Sequence, residues 1–306
     1  PLKALNSYLL KAPERALIID TGMNREECSR AMASGLAELS VDLTRTDFFI
    51  THLHADHAGL VGNLASTTSK IYFSEIDATI VNRGLSENEW QETNRLYKAH
   101  GFPEDELARA LAAHPAKRYS SSRKIDYHIV KEGDRIDIGD YSFQCIATPG
   151  HTPGHMCLYE SARKILISGD HILLDITPNI SFWADFKNSL KVYLSSLEKV
   201  LALDVDLILP GHRRIWNSHK RRIAELKVHH RARLDEVLFA LRHGAKTAYQ
   251  LAYSITWDID YASWDDFPPQ QKWFALGETL AHVEYLEETN AVLRKIKGGK
   301  IMFSLA

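Results

Sequence analysis

The chain has 306 residues, 45% of them hydrophobic and 25% charged, which is the composition of an ordinary globular protein with room for one large domain and a small one. A formal net charge of −2 supplies no global field to attract nucleic acid or a membrane surface, so such partners have to be argued from local patches. No apolar run approaches the ~18 residues of a membrane span, and residues 1–10 lack the charged-then-apolar pattern of a leader.

The first predicted strand covers 16–20 and the second 47–51, with a helical pattern over 25–39 between them. Residues 75–128 interrupt this rhythm with helical stretches at 87–100 and 104–114. An insertion of that length is expected to form a lid or substrate-shaping cap, with Trp90, Asn94, Tyr97 and His100 as its pocket-facing residues. Strands are predicted again over 143–148, 164–168 and 206–209. A helix over 190–203 carries Val192, Leu194, Leu197, Val200 and Leu201 at helical spacing. Short apolar runs of this kind, closed by Gly, Pro or polar residues, are buried strands with function at their C-terminal ends. Interleaved strands and helices imply an α/β class, two sheets sandwiched between helices.

Composition shifts after His212. From 212 to 233 there are eight Lys or Arg and one acid, Glu225, whereas from 234 to 290 ten acids face three bases. Helices are predicted at 234–242, 247–255 and 270–288, the last with a packing stripe of Trp273, Leu276, Leu280 and Val283. A hairpin over 292–305 turns at Gly298 and Gly299. Three helices followed by a hairpin describe a winged-helix domain, which places a catalytic domain at 1–225 and the small domain at 226–306. Cys28, Cys145 and Cys157 are odd in number and form no CxxC pair, so they are expected as free thiols in a reducing, cytoplasmic setting.

The chemistry is concentrated in His52-Leu53-His54-Ala55-Asp56-His57. Two alternating imidazoles leave a strand end on one side, and the following turn presents Asp56 and His57 to a neighbouring point. One metal can take His52 and His54, a second Asp56 and His57. Further candidates follow at strand ends: His151 in Thr148-Pro149-Gly150-His151-Thr152-Pro153-Gly154-His155, Asp170 in Ile167-Ser168-Gly169-Asp170, and His212 in Leu209-Pro210-Gly211-His212. Asp20 closes Leu17-Ile18-Ile19-Asp20. His155 is expected as a buried partner of the His151 loop, and His171 as pointing away from the metals.

These motifs, in this order across roughly 16–212, resemble the metallo-β-lactamase superfamily, and within it the glyoxalase-II-like hydrolases. The resemblance implies a four-layer αββα sandwich in which His52, His54 and His151 hold one divalent ion, Asp56, His57 and His212 hold a second, and Asp170 bridges them. It also implies that Asp20 hydrogen-bonds the far nitrogen of a ligand histidine and does not touch metal. Zinc is the expected ion, with iron and manganese compatible with the same donors. Asp170 stands where some true β-lactamases of the superfamily use cysteine, which disfavours antibiotic hydrolysis.

Two such ions acidify a bridging water into a hydroxide nucleophile, with Asp56 placed to shuttle its proton. The favoured substrate is a small acyl thioester or ester, in a pocket roofed by the insertion and by Phe182 and Trp183, beside Trp90 and Tyr97. One alternative is an endoribonuclease or phosphodiesterase acting on single-stranded RNA through Arg213, Arg214, Lys220, Arg221 and Arg222; the acidic body of the C-terminal domain repels that partner. Packing or homodimerisation is the expected role of that domain. A non-catalytic metal-binding sensor is the other alternative.

Overall fold

The computed structural model describes residues 4–84, 87–121, 123–258 and 261–306. They fall into two compact units: the first gathers Pro1–Gly84, Arg118–Pro178 and Ser195–Ile223, the second Leu85–Lys117, Asn179–Leu194 and Ala224–Ala306.

The first unit contains two five-stranded sheets. In one, β1 (Tyr8–Lys11), β2 (Ala16–Ile19), β3 (Thr46–Phe49), β4 (Ile71–Ser74) and β5 (His128–Val130) lie in chain order. Only the β1–β2 pair is antiparallel. In the other, β6 (Arg135–Ile138), β7 (Tyr141–Ala147), β8 (Met156–Glu160), β9 (Ile165–Gly169) and β10 (Leu207–Pro210) also run in sequence, with β9 and β10 parallel.

Side-chain alternation explains the layering. Leu17, Ile19 and Phe49 form a buried cluster with Phe143, Cys145, Leu158 and Ile167 of the second sheet, so the sheets face each other through it. Their neighbours Ile18, Phe48 and Ile50 belong to another cluster, with Leu36 of α1 (Glu26–Glu38), Ala58 of α2 (Ala55–Ala58), Val61 of α3 (Val61–Leu64) and Ala78 of α4 (Glu75–Arg83). Successive residues of a strand thus feed opposite layers. Burial on both faces is why β2 reads as the unbroken apolar run Ala16 to Ile19 and why β3 leads into Phe48, Phe49 and Ile50.

The insertion supplies α5 (Glu87–Ala99), α6 (Glu104–Ala112) and the short α7 (Pro115–Tyr119). Helix α8 (Ser189–Leu201) is tied to the end of β7 by Ser196 Oγ, which donates to Pro149 O at 2.8 Å, and by Lys199 Nζ, which donates to Ala147 O at 2.7 Å. The order helix, sheet, sheet, helix is that of the expected α/β sandwich.

Next come α9 (His219–Leu241), α10 (Ala248–Ser254) and α11 (Pro269–Glu288), then the hairpin β11 (Val292–Lys297) and β12 (Lys300–Leu305). A capping box starts α10: Thr247 Oγ1 accepts from Gln250 N, and the Gln250 side chain accepts from Thr247 N. Trp273, Leu276, Leu280 and Val283 of α11 are buried, as their stripe implies.

The helix expected at 234–242 begins instead at His219. No Gly or Pro interrupts 219–241, so the basic-to-acidic shift changes the charge of one helix without ending it. The boundary expected between 225 and 226 falls inside it, as does the division between the two units after Ile223. Apolar runs alone also omit β1, β4, β5, β6 and β8, strands of three to five residues whose identity comes from pairing with distant neighbours. No helix among the described residues is long and apolar enough to cross a membrane.

Candidate metal centre

Five strand ends of the first unit carry the candidate residues: Asp20 after β2, His52 to His57 after β3, His151 in the loop from β7 to β8, Asp170 after β9 and His212 after β10. The fold brings donor atoms of His52, His54 and His151 within 4.8 Å of one another, and does the same for His52, His57 and Asp170 and for Asp56, His57 and His212. Among these side chains Asp56 is 18% exposed and Asp170 7%.

Hydrogen bonds orient the imidazoles. Asp20 Oδ1 accepts from Thr51 N at 2.8 Å, and its Oδ2 accepts from Thr51 Oγ1 at 2.8 Å and from His57 Nδ1 at 2.7 Å. Since the Thr51 hydroxyl proton goes to Asp20, its oxygen accepts from His52 Nδ1 at 2.9 Å. His212 Nδ1 donates to Ala4 O at 3.1 Å. In all three rings Nδ1 carries the proton, and the lone pair on Nε2 is left for an ion. His52 Nε2 lies 3.1 Å from His54 Nδ1.

His155 is different. Its Nε2 accepts from Asp170 N at 3.2 Å and its Nδ1 bonds Thr148 Oγ1 at 2.7 Å. Both nitrogens are engaged by protein, which leaves no ligand atom.

The residues fit a cation. His57 Nε2, His212 Nε2 and Asp170 Oδ1 are buried and make no hydrogen bond of acceptable geometry among the described residues. His57 Nε2 stands 3.6 Å from Asp170 Oδ1, and His212 Nε2 3.2 Å from Asp56 Oδ2. Buried polar atoms without partners are costly unless an ion satisfies them.

The electrostatics agree. Burial opposes protonation of His57, yet Asp20, Asp170 and Asp56 together outweigh it and raise its pKa well above the usual range. Burial likewise works against ionisation of Asp170, but His57, His212 and His151 hold its carboxyl well below the ordinary carboxylate range. At Asp56, too, burial raises, but the neighbouring His57 and His212 rings prevail and bring the pKa to about 2. Such a mixture of imidazoles and carboxylates suits zinc, iron or manganese.

Gly211 shows how close the approach is. A Cβ there would sit 2.4 Å from Asp170 Oδ1 and 2.7 Å from His57 Cε1, so the residue before His212 has to be glycine.

Trp90, Tyr97, Phe182 and Trp183 lie in the second unit, the metal-ligand candidates in the first. Tyr97 is buried with its ring stacked on Trp273 at 3.9 Å, and Trp90 packs on the His114 ring at 5.2 Å. Phe182 and Trp183 are half-buried, with Phe182 N donating to Gly277 O at 2.9 Å. His100, also buried, stacks on Phe303.

Reading by motif misses Asp77. This fully buried carboxylate accepts from Leu53 N at 2.9 Å, Thr152 Oγ1 at 2.7 Å and Gly154 N at 2.7 Å. Desolvation lifts its pKa to about 6 even though all three bonds favour the anion. In the sequence it is one acid near the start of a helix, three residues after the N-cap Ser74, and nothing local separates it from an exposed capping residue. Thr51 is missed similarly.

A family model described as the metallo-beta-lactamase superfamily matches residues 2–212. The chain is 25% identical over 307 residues to the probable metallo-hydrolase YqjP of Bacillus subtilis (strain 168), covering 97% of this chain and 92% of that one. It is 26% identical over 219 residues to the acyl-coenzyme A thioesterase MBLAC2 of Homo sapiens, covering 68% and 72%. The crystal structure of a metallo-beta-lactamase family protein from Thermus thermophilus superposes with a TM-score of 0.84 at 29% identity, over 100% of this chain and 95% of that one.

Proposed function

Because this chain belongs to the metallo-beta-lactamase superfamily and is a hydrolytic enzyme, we propose that it is a two-metal hydrolase acting on small acyl thioesters. The observation that carries the two-metal reading is the position of Asp170 between two donor groups. Its carboxylate lies 3.6 Å from both His57 Nε2 and His212 Nε2 and 3.7 Å from His151 Nε2. His52, His54 and His151 would hold one ion, Asp56, His57 and His212 the other, and Asp170 both. Zinc is the expected metal, with iron or manganese compatible with the donors.

When bound, two such ions supply a water acidified toward neutral pH and polarise the carbonyl it attacks. The chain's own residues do the rest. Asp20 and Thr51 hold His57 and His52 in the tautomer that ligates. Asp56, more exposed than Asp170, is placed to take a proton from the nucleophile and pass it to the departing thiolate.

The thioester reading is supported by the likeness to a relative named as an acyl-coenzyme A thioesterase. The acid excess between 234 and 290 weighs against a polyanion. The test is turnover of acyl-coenzyme A esters of graded chain length against a labelled single-stranded RNA, with zinc, manganese and iron each supplied. Thioester hydrolysis is expected, falling to background in His54→Ala and Asp170→Ala. Cleavage of RNA with thioesters untouched would overturn the substrate; fewer than two bound metal equivalents would overturn the centre.

A further inference from the structure

We infer that Asp77 is a positioning residue for the His52, His54 and His151 group, a carboxylate staple joining the segment that carries two of these ligands to the loop that carries the third. The inference rests on the two-metal reading of the centre.

The geometry is specific. Asp77 Oδ2 accepts from Leu53 N at 2.9 Å and from Thr152 Oγ1 at 2.7 Å, so a single oxygen spans both segments, while Oδ1 accepts from Gly154 N at 2.7 Å. Leu53 stands between His52 and His54; Thr152 and Gly154 follow His151. A shift of either segment relative to the other breaks at least one of these bonds inside a fully buried site.

The start of α4 aims the carboxylate. Ser74, its N-cap, accepts from Asp77 N at 3.4 Å, which anchors the backbone that presents the side chain. The His151 loop then approaches as near as a chain can. A Cβ at Gly154 would meet Ser74 Oγ at 2.3 Å and Asp77 Oδ1 at 2.7 Å.

Asp77 bonds no ligand side chain and acts through the backbone N–H groups of Leu53 and Gly154 and the hydroxyl of Thr152, all beside the ligands. The Asp56, His57 and His212 group has other supports, Asp20 for His57 and Ala4 O for His212. This division predicts a selective effect. Groups that orient ligands cost on the order of 10–100-fold in metal affinity when lost, because ligand geometry tolerates only a few tenths of an ångström.

The experiment uses the full chain loaded with zinc, a competing chelator that resolves the two equivalents, and the melting temperature of the metal-free protein. In Asp77→Ala one equivalent is expected to loosen by about 10–100-fold while the other stays within a few-fold of wild type. Thr152→Val, which removes one of three bonds and keeps the carboxylate, is expected to loosen the same equivalent less. Asp77→Asn should fall between them, since its amide sets a donor against a backbone N–H.

A role confined to stability would lower the metal-free melting temperature and leave both zinc affinities unchanged, which overturns the proposal. So does equal loosening of both equivalents. If Asp77→Ala does not fold, Asp77→Asn and Thr152→Val decide the question. A wild type holding one equivalent overturns the two-metal reading instead, and the staple is then judged on whether that equivalent loosens in the variants.

Discussion

Three carboxylates, Asp20, Asp56 and Asp170, surround the His57 ring, and their joint field outweighs the burial that would keep it neutral. A proton is a poor substitute for a divalent ion in such a field, because it satisfies one nitrogen and leaves Asp170 Oδ1 and His212 Nε2 without partners. Stripping the ions is therefore expected to lower the melting temperature. Free zinc at a hundred times its dissociation constant should stabilise the fold by about 2.7 kcal/mol for each ion bound, and scanning calorimetry before and after chelation measures this. In Asp170→Asn the gap between loaded and stripped protein should shrink to less than half. A wild type that melts at the same temperature with and without chelator would show that these residues hold no structural cation.

Strand ends deliver every candidate ligand, so the loops behind them tolerate little added volume. The β10 loop is the clearest case, where the Cβ of Gly211→Ala would enter the space of Asp170 Oδ1 and His57 Cε1. Activity in that variant is expected to fall by about 10–100-fold through displaced ligands. A glycine in α1 supplies the contrast. Nothing lies within 4 Å of a Cβ placed on Gly35, and its helical backbone suits alanine, so Gly35→Ala should stabilise by about 0.5–1 kcal/mol at unchanged kcat. Urea unfolding and steady-state kinetics on the pair separate site geometry from helix propensity. The two glycines look alike in the sequence, and only their surroundings distinguish them.

Across the second unit, buried histidines make stability depend on pH. Desolvation brings His100 and His114 to about 4 and His282 to about 3. His282 Nδ1 donates to Glu278 O at 2.8 Å, His230 Nδ1 meets its Nε2 at 3.1 Å, and Arg233 and His229 add positive charge nearby. In the unfolded chain these rings protonate near 6.5, whereas the folded state resists until pH 4 or below. Between these values the unfolded state binds more protons, so stability falls on acidification, by about 1.4 kcal/mol per pH unit for each such group. Metal-free wild type should therefore melt progressively lower from pH 6.5 to 4, and His282→Gln should show a shallower slope. Parallel slopes would mean that His282 contributes nothing to this dependence.

The sequence by itself determined the candidate donor set and the class of fold. His52 to His57 and the short runs ending in His151, Asp170 and His212 are local patterns, and the apolar runs at 16–20 and 47–51 are a property of a few consecutive residues. Helix α9 and the omitted strands were less legible, because a charge shift does not end a helix and a strand of three to five residues is defined by its partners. Tertiary structure alone decided which nitrogen of His52, His57 and His212 faces the centre, that His155 has both nitrogens occupied, and that Tyr97 packs against Trp273. It also decided the role of Asp77, whose three donors come from residues 53, 152 and 154. The reason is physical: a ligand's type is carried by one residue, but its tautomer, its desolvation and its position depend on groups that only folding brings within hydrogen-bonding distance.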